Sequence, residues 1–422
     1  MTNSIQIQKS YVIAQDLYAA IGIDTEMVIE KLKKVSISIH CWQGDDVGGF
    51  ERPNATLGAG GTMVTGNFKG KARNVSELRM DIEKVLSIVP GKNRLNLHAI
   101  YGEFDGKLID RDQIEPAHFQ GWVEWAKKFD IALDFNCSLF SHPKVDSGFT
   151  ISDKNPAIRE FWIEHINRCR TISEYFGKEL GKSCVHNIWI PDGSKDITVD
   201  RLKHRELLTD SLDKIFAHKI DKKYMRDALE SKLFGIGSES YVVGSHEFYM
   251  GYGIKNDHMI CLDMGHFHQT ESVADKISSM LLNLPEIMLH VSRGVRWDSD
   301  HVVILNDDLR FLFEEITRAN ALDRINIGLD FFDASINRVG AWAIGTRAAQ
   351  KALLLALLEP IQLLRQYEDN VQYAERLALL EELKSMPWGA VWDYYCLQNN
   401  VPVGQAFIAE IQSYEKNVLN FR

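Results

Sequence analysis

The residues with most chemistry to offer lie in the second half of the chain, where carboxylates and imidazoles recur at short intervals. Glu230 and Lys232 stand two apart in ALESKLFGIG (228–237), Asp263 and His266 fall in MICLDMGHFH (259–268), His290 sits in EIMLHVSR (286–293), and Asp330 in INIGLDFF (325–332). Between the last two runs comes Arg296-Trp297-Asp298-Ser299-Asp300-His301. Brought to one point, Glu230, Asp263, His290 and Asp330 would repel one another and each would pay heavily for losing water. A divalent cation removes the problem, and mixed oxygen and imidazole donors suit Mn²⁺, Co²⁺, Mg²⁺ or Zn²⁺ rather than a thiolate-selected ion. His266 with Asp298 and Asp300 makes a second donor set, since residues two apart in extended chain project to the same side. Two neighbouring metals are therefore expected.

Taken singly, each of these residues reads as a hydrogen-bonded core group, because buried polar groups are normally paired. Seven of them at successive strand ends favour ligation. Lys232 reads either as an ion-pair partner of Glu230 or as a cation that polarises a substrate oxygen. His98 divides between a core tautomer and a hydrogen bond to substrate. Trp42 and Trp189 suit walls that pack on the apolar faces of a sugar, and would look the same as plain packing residues. Asp45, Asp46, Asp192 and Asp333 lack a partner set and read as loop or capping groups.

What positions these residues is a repeating pattern. Short β-rich runs alternate with helical stretches: VSISIH (35–40), RLNLHAIY (94–101), IALDFN (131–136) and SCVHNIWI (183–190) precede the four runs above. Asn74 with Glu77 resembles a capping box, Pro90-Gly91 stops that helix, and Asn155-Pro156 opens a long one through Phe176. Strand–helix repetition implies parallel strands. Eight units without a dinucleotide fingerprint after the first strand point to an α/β fold, the TIM (β/α)8 barrel, whose active site gathers at the C-terminal strand ends. Helical additions flank it: a segment over 1–34 with a cap at Asp24-Thr25-Glu26, the barrel over 35–345, and an extension over 346–422 suited to holding subunits together. The glycine-rich LGAGGTMVTGNFKGKA (57–72) has Gly70-Lys71 but Ala72 where a phosphate loop needs Ser or Thr, so it reads as a flexible loop over the barrel mouth.

Composition agrees. The 422 residues are 45% hydrophobic, enough for a large core, and a formal net charge of -10 argues against a nucleic-acid binder while favouring clefts that attract cations. Cys41, Cys137, Cys169, Cys184, Cys261 and Cys396 form no CxxC pair and read as reduced core thiols. The opening MTNSIQIQKSYVIAQ lacks a basic segment followed by an apolar one, and the expectation is a cytoplasmic enzyme with neither membrane nor nucleic-acid partner.

SIHCWQGDDVGGFE, RLNLHAIY, NIWIPDG, ESKLFGIGSESY, LDMGHFH, HVSRGVRWDSDHVV and GLDFFDASINR, in that order, resemble the L-rhamnose isomerase family over nearly the whole chain. The resemblance implies a homotetramer that interconverts L-rhamnose and L-rhamnulose with divalent metal, commonly manganese. It places the catalytic manganese ligands on His266, Asp298 and Asp300, and a second metal on Glu230, Asp263, His290 and Asp330. Lys232 would lie close to the reacting carbonyl. Hydrogen would move between C2 and C1, either as hydride or as a proton through an enediol with Asp330 on the base side. Rival readings are an isomerase of another aldose on the same barrel, separated by an apolar wall for the C6 methyl near Trp42, Trp189 and Phe331, and a two-metal phosphoester hydrolase, which needs a basic groove.

Overall fold

The computed structural model describes residues 4–51, 64–233 and 240–422. Eight strands close into a parallel barrel: β1 (Ile37–His40), β2 (Asn93–His98), β3 (Leu133–Asn136), β4 (Cys184–Trp189), β5 (Met225–Glu230), β6 (Met259–Asp263), β7 (Ile287–Val291) and β8 (Ile325–Leu329), with β8 pairing back onto β1. Each of the eight runs expected from sequence overlaps one strand. The fifth starts three residues earlier than the apolar run suggested and ends at Glu230, so Lys232 follows the strand instead of belonging to it. The rest of that run, 234–237, lies outside the described residues, as does 57–63 of the glycine-rich stretch. Its described remainder is fastened to the loop after β8, where the Phe68 amide donates to Ala334 O at 2.7 Å.

A strand sends alternate side chains to opposite faces. The inward series therefore reads upward in steps of two: Arg94 then His98 on β2, Asp134 then Asn136 on β3, Val185, Asn187 and Trp189 on β4, Ala228 and Glu230 on β5, Met259, Cys261 and Asp263 on β6, Met288 and His290 on β7. The lower end is polar, with Ser38 Oγ and the Arg94 guanidinium both donating to Asp134, at 2.6 and 2.6–2.8 Å. The middle is an apolar plug of Val185, Ala228, Met259, Cys261 and Met288. Register carries the charged residues to one height at the top, since Trp189 pairs with Glu230 and Asp263 with His290.

Helices α1 (Ser4–Ala19) and α2 (Thr25–Leu32) precede the barrel, and α3 (Val75–Leu86), α4 (Gln120–Phe129), α5 (Pro156–Leu180), α6 (Arg201–Ala217), α7 (His246–Asn256), α8 (Ala274–Leu281), α9 (Asp307–Arg318) and α10 (Arg338–Leu357) follow the successive strands. The Asp24 carboxylate caps α2 by accepting from the Glu26 and Met27 amides. At α3 the Asn74 side chain accepts from Glu77 N as expected, but the Glu77 carboxylate reaches the Arg73 amide, one residue before the cap. α10 is apolar on nearly every side because it is buried on nearly every side, and the Trp342 indole donates to His40 O at 2.7 Å. The helical stretch that follows breaks at Pro360, as a residue without an N–H requires, into α11 (Ile361–Asp369), α12 (Tyr373–Leu383), α13 (Trp388–Gln398) and α14 (Gln405–Asn417). α1 returns onto α13, where Tyr11 and Tyr394 stack at 3.8 Å between centroids. No helix of the described residues is long and apolar enough to cross a membrane.

α5 runs a turn beyond Phe176 and ends at Gly181, whose φ is 65°. Inside it Gly177 lies so close to the turn before β5 that a Cβ would stand 1.9 Å from Tyr224 O. Gly177→Ala should therefore destabilise the protein by about 1–3 kcal/mol through overpacking, although helix propensity alone would give a gain of about 1 kcal/mol. Denaturant unfolding of both proteins decides the sign, and a more stable variant would show that the contact yields.

Candidate metal centre

The upper ends of β5 to β8 deliver four side chains to one point. Donor atoms of Glu230, Asp263, His290 and Asp330 all lie within 4.8 Å of one another. His290 Nδ1 stands 3.3 Å from Glu230 Oε2, 3.4 Å from Asp330 Oδ2 and 3.8 Å from Asp263 Oδ2. This is the first donor set read from the sequence, assembled as the strand ends implied.

The second set differs in one member. Asp263, His266 and Asp298 bring their donors within the same distance, so Asp263 stands between the two sets, whereas Asp300 lines the cleft without joining that cluster. Asp300 sits at φ 45°, a left-handed conformation that an aspartate adopts only when its surroundings hold it there. Glu230 links the sets from its other oxygen, with Oε1 3.2 Å from His266 Nδ1.

Neutral neighbours aim the carboxylates. Asp263 Oδ1 accepts from the Gly265 amide at 2.6 Å and from Ser292 Oγ at 3.0 Å, Asp330 Oδ1 accepts from the Trp42 indole at 2.9 Å, and Glu230 Oε2 accepts from the Asn187 side-chain amide. After this, Asp263 Oδ2, Asp298 Oδ1, His266 Nδ1 and both ring nitrogens of His290 have no hydrogen bond among the described residues, although all are buried. Acceptors that face one another without donors are what a cation satisfies, so the residues fit a metal.

The charges report the same need. Burial pushes Asp263 up to about 7, His266 pulling it down while Glu230, Asp330 and Asp298 push it further up. Asp300 is raised well above the usual carboxylate range by burial and then by Asp298 and Asp330. For Glu230 burial acts upward too, but His290 and His266 outweigh it and hold it well below. Burial opposes protonation of His266 and His290, yet neighbouring carboxylates, Asp263 and Asp298 at the first and Glu230 at the second, draw both imidazoles upward. Without a bound cation, the cluster draws in protons to balance its charge.

The remaining expected residues ring this centre. Burial acts to lower Lys232, but Asp298 and Asp300 keep it an ammonium. It donates to Asp298, lies 3.2 Å from His266 Nε2, and sits 5.2 Å over the Trp189 ring. Its ion-pair partner is thus Asp298 and not Glu230. His98 is driven down to about 3 by burial and by His290, which leaves it a neutral hydrogen-bonding group, with Nδ1 3.1 Å from Ser138 Oγ. Trp42 and Trp189 line the cleft with Val47, Phe140 and Phe332. Phe331 does not; it packs on His40 in the core, while its neighbour Phe332 faces the opening.

The acidic loop residues are structural. Asp45 accepts from Tyr101 Oη and Gly49 N, Asp46 accepts from Arg338 Nε and Nη2, Asp192 accepts from Thr150 and Ser152, and Asp333 from Ser335. All six cysteines are free and buried. Cys261 lies beside Glu230 and His290, but burial pushes its thiol up to about 12, so it stays protonated there. Asn187, Ser292, Val47 and Phe332 escaped sequence reasoning; only the strand-end position of Asn187 could have flagged any of them.

Comparison with known proteins gives a consistent result. The profile of the L-rhamnose isomerase family matches residues 5–422. An L-rhamnose isomerase of Bacteroides thetaiotaomicron is 58% identical over 422 residues, covering 100% of both chains, and one of Citrobacter koseri is 54% identical over 417 residues, covering 99% of each. A solved L-ribulose 3-epimerase superposes with a TM-score of 0.48 at 11% identity, covering 80% of this chain and 98% of its own.

Asn187→Ala removes the donor that holds Glu230 while leaving every charged ligand in place. Metal affinity should weaken about 10–100-fold, the usual cost of losing an outer hydrogen bond. Titration of the metal-stripped protein with Mn²⁺ measures this, and an unchanged affinity would mean that the amide does not orient Glu230.

Proposed function

This chain belongs to the L-rhamnose isomerase family, and from that premise we propose that its barrel mouth binds two divalent metals and there interconverts L-rhamnose and L-rhamnulose. The protein is an aldose–ketose isomerase. One observation carries the site assignment: two overlapping sets of buried donors, several of them unsatisfied among the described residues, stand beside the Lys232 ammonium and under aromatic walls.

We assign His266, Asp298 and Asp300 to the catalytic metal and Glu230, Asp263, His290 and Asp330 to the other. Asp263 sits close enough to His266 and Asp298 to be shared. Manganese is our first choice, with Zn²⁺, Co²⁺ and Mg²⁺ acceptable to the same donors. When bound, such ions draw electron density from sugar oxygens O1 and O2 and lower the cost of negative charge on them. Lys232 adds a fixed ammonium to the same end of the sugar, held in place by Asp298 so that little reorganisation is needed as charge develops. Asp330 is the carboxyl we assign to proton handling at C1 and C2. Burial raises it against the pull of His290, and the Trp42 indole fixes one of its oxygens. A hydride route between the two carbons would use the same residues for positioning.

Neutral His98 suits a hydrogen bond to a sugar hydroxyl, and Trp42 and Trp189 suit contact with its apolar faces. Val47, Phe140 and Phe332 extend the apolar wall, which favours a sugar carrying a methyl at C6 over one carrying a hydroxyl. The phosphoester hydrolase reading loses support here, because among the described lining residues Lys232 is the one lysine and no arginine appears. A cytoplasmic homotetramer completes the proposal. Six free thiols favour a reducing compartment. Exposed Ile5, Val12, Ile13 and Leu17 on α1, and Tyr373 and Leu377 on α12, supply apolar surface for subunit contact.

The test is ketose formation by metal-stripped protein. Added Mn²⁺ should restore L-rhamnulose formation, with D-xylose and L-arabinose turned over more slowly; full activity without metal, or no activity on any aldose, would overturn the reading. His266→Ala and Asp298→Ala should abolish turnover in a folded barrel. Lys232→Met should lower kcat about 10²–10³-fold, the loss typical of a transition-state donor, with little change in KM.

A further inference from the structure

A second cluster of ligating side chains lies outside the barrel lumen, between the strand wall and α5. Cys137 follows β3, His186 lies on the outward face of β4, and Cys169 projects from α5; their donor atoms come within 4.8 Å of one another and all three residues are buried. Around it the layer between barrel and helices mixes fully buried Phe135, Phe176, Ile188 and Leu229 with a buried polar group of His165, Arg170 and Ser173. Polar chemistry at such depth needs a reason.

The histidines supply one. His186 directs Nδ1 at Asp227 Oδ1, 2.9 Å away, and turns Nε2 toward Cys137 Sγ at 3.1 Å. His165, one turn before Cys169 on α5, likewise sets Nδ1 2.9 Å from Arg111 O, with Cys169 Sγ beside the ring, 3.7 Å from Nε2 and 3.9 Å from Nδ1. Each imidazole thus sets Nδ1 against a fixed acceptor, a carboxylate in one case and a backbone carbonyl in the other. That is how metal-binding histidines are held, and at His186 it leaves Nε2 facing the cluster. Asp227 is itself anchored by Arg170 at 3.1 Å.

We propose that Cys137, Cys169 and His186 form a structural site for a soft divalent ion of the zinc class, with His165, which stands beside Cys169 but outside that cluster, shifting to complete the tetrahedron. Tetrahedral Zn–S and Zn–N bonds of about 2.3 and 2.0–2.1 Å set donor-to-donor edges of roughly 3.5–3.8 Å. The Cys169–His165 distance already meets this, and the Cys137–His186 contact needs to open by a few tenths of an ångström. His165 Nε2 also accepts a long 3.3 Å bond from Ser138 N, which ligation would replace. Binding sends two thiol protons to solvent and leaves two thiolates with one dication, a neutral unit that suits full burial. The ion would enter as the chain folds and would staple α5 to β3 and β4.

The barrel mouth offers oxygen and nitrogen donors, so thiolate ligation distinguishes the two sites, provided Cys261 is controlled for. The full chain is produced with Zn²⁺, or with Co²⁺ in its place, and treated with chelator to clear the mouth. Wild type and Cys261→Ser should both retain about one ion per chain by mass spectrometry and, as cobalt protein, show a thiolate-to-cobalt charge-transfer band in the near ultraviolet. Cys169→Ala should lose ion and band and unfold at a lower temperature, while its mouth still takes up Mn²⁺. A wild type without retained ion or band, a band that vanishes with Cys261→Ser, or a Cys137–Cys169 disulfide would overturn the site. Because wild type and Cys261→Ser decide the question, poor folding of Cys169→Ala does not remove the test.

Discussion

Confining several carboxylates to one buried place is the constraint around which the upper half of this barrel is organised. Glu230, Asp263, Asp298, Asp300 and Asp330 share a cleft with the imidazoles of His98, His266 and His290 and with Lys232. In a medium of low effective dielectric their mutual repulsion is costly, and even an effective dielectric near 20 leaves about 4 kcal/mol between unit charges 4 Å apart. Protons relieve part of this: burial first and neighbouring carboxylates second drive Asp263, Asp300 and Asp330 upward, while His266 and His290 are drawn toward the charged form. A metal pair relieves it more completely, because a dication adds charge without needing a donor hydrogen on every carboxylate.

The scaffold keeps the ligands from escaping that repulsion by turning away. Neutral donors pin one oxygen of each of three carboxylates: Gly265 N and Ser292 on Asp263, Trp42 on Asp330, Asn187 on Glu230. Gly265 has a further part. A Cβ there would fall 2.2 Å from Asp298 Oδ1, so the close approach of the loop after β6 to Asp298 depends on hydrogen in that place. Beneath the cluster the apolar plug of Met259, Cys261 and Met288 separates the mouth from the polar lower end, where Arg94 and Asp134 neutralise each other. The barrel therefore confines its uncompensated charge to the end where ligands enter.

Much of this was legible in the sequence because charge at a strand end is conspicuous. Glu230, Asp263, His290 and Asp330 fall where period-two alternation and the barrel rule put them, and eight alternating runs sufficed for the fold. Less visible were residues whose contribution depends on geometry across distant strands. Asn187 and Ser292 carry no charge, and their value lies in a hydrogen bond to a strand neighbour that no local pattern announces. Phe331 and Phe332 differ only in which way each points, and a turn immediately after β8 makes that parity unreadable. The sharing of Asp263 by two donor sets has the same origin, since it depends on how the loop after β7 folds back with Arg296 and Asp300 both at positive φ.

Sharing also changes what the two donor sets can do. Glu230 faces His266 through one oxygen and His290 through the other, and Asp263 contributes to both groups. Filling one set fixes carboxylates that the other needs and removes negative charge from it, so the two effects oppose each other. Preorganisation favours the second ion, whereas the reduced negative potential disfavours it. Lys232 tips the balance locally, because its ammonium sits beside Asp298 and His266 and weakens cation binding on that side. On the proposed assignment, the set around Glu230 and His290 would accordingly be the tighter one, and the set beside Lys232 would hold its ion loosely enough to exchange ligands with a substrate. Tight holding on one side and ready exchange on the other is the division of labour that two adjacent sites of unequal local charge produce.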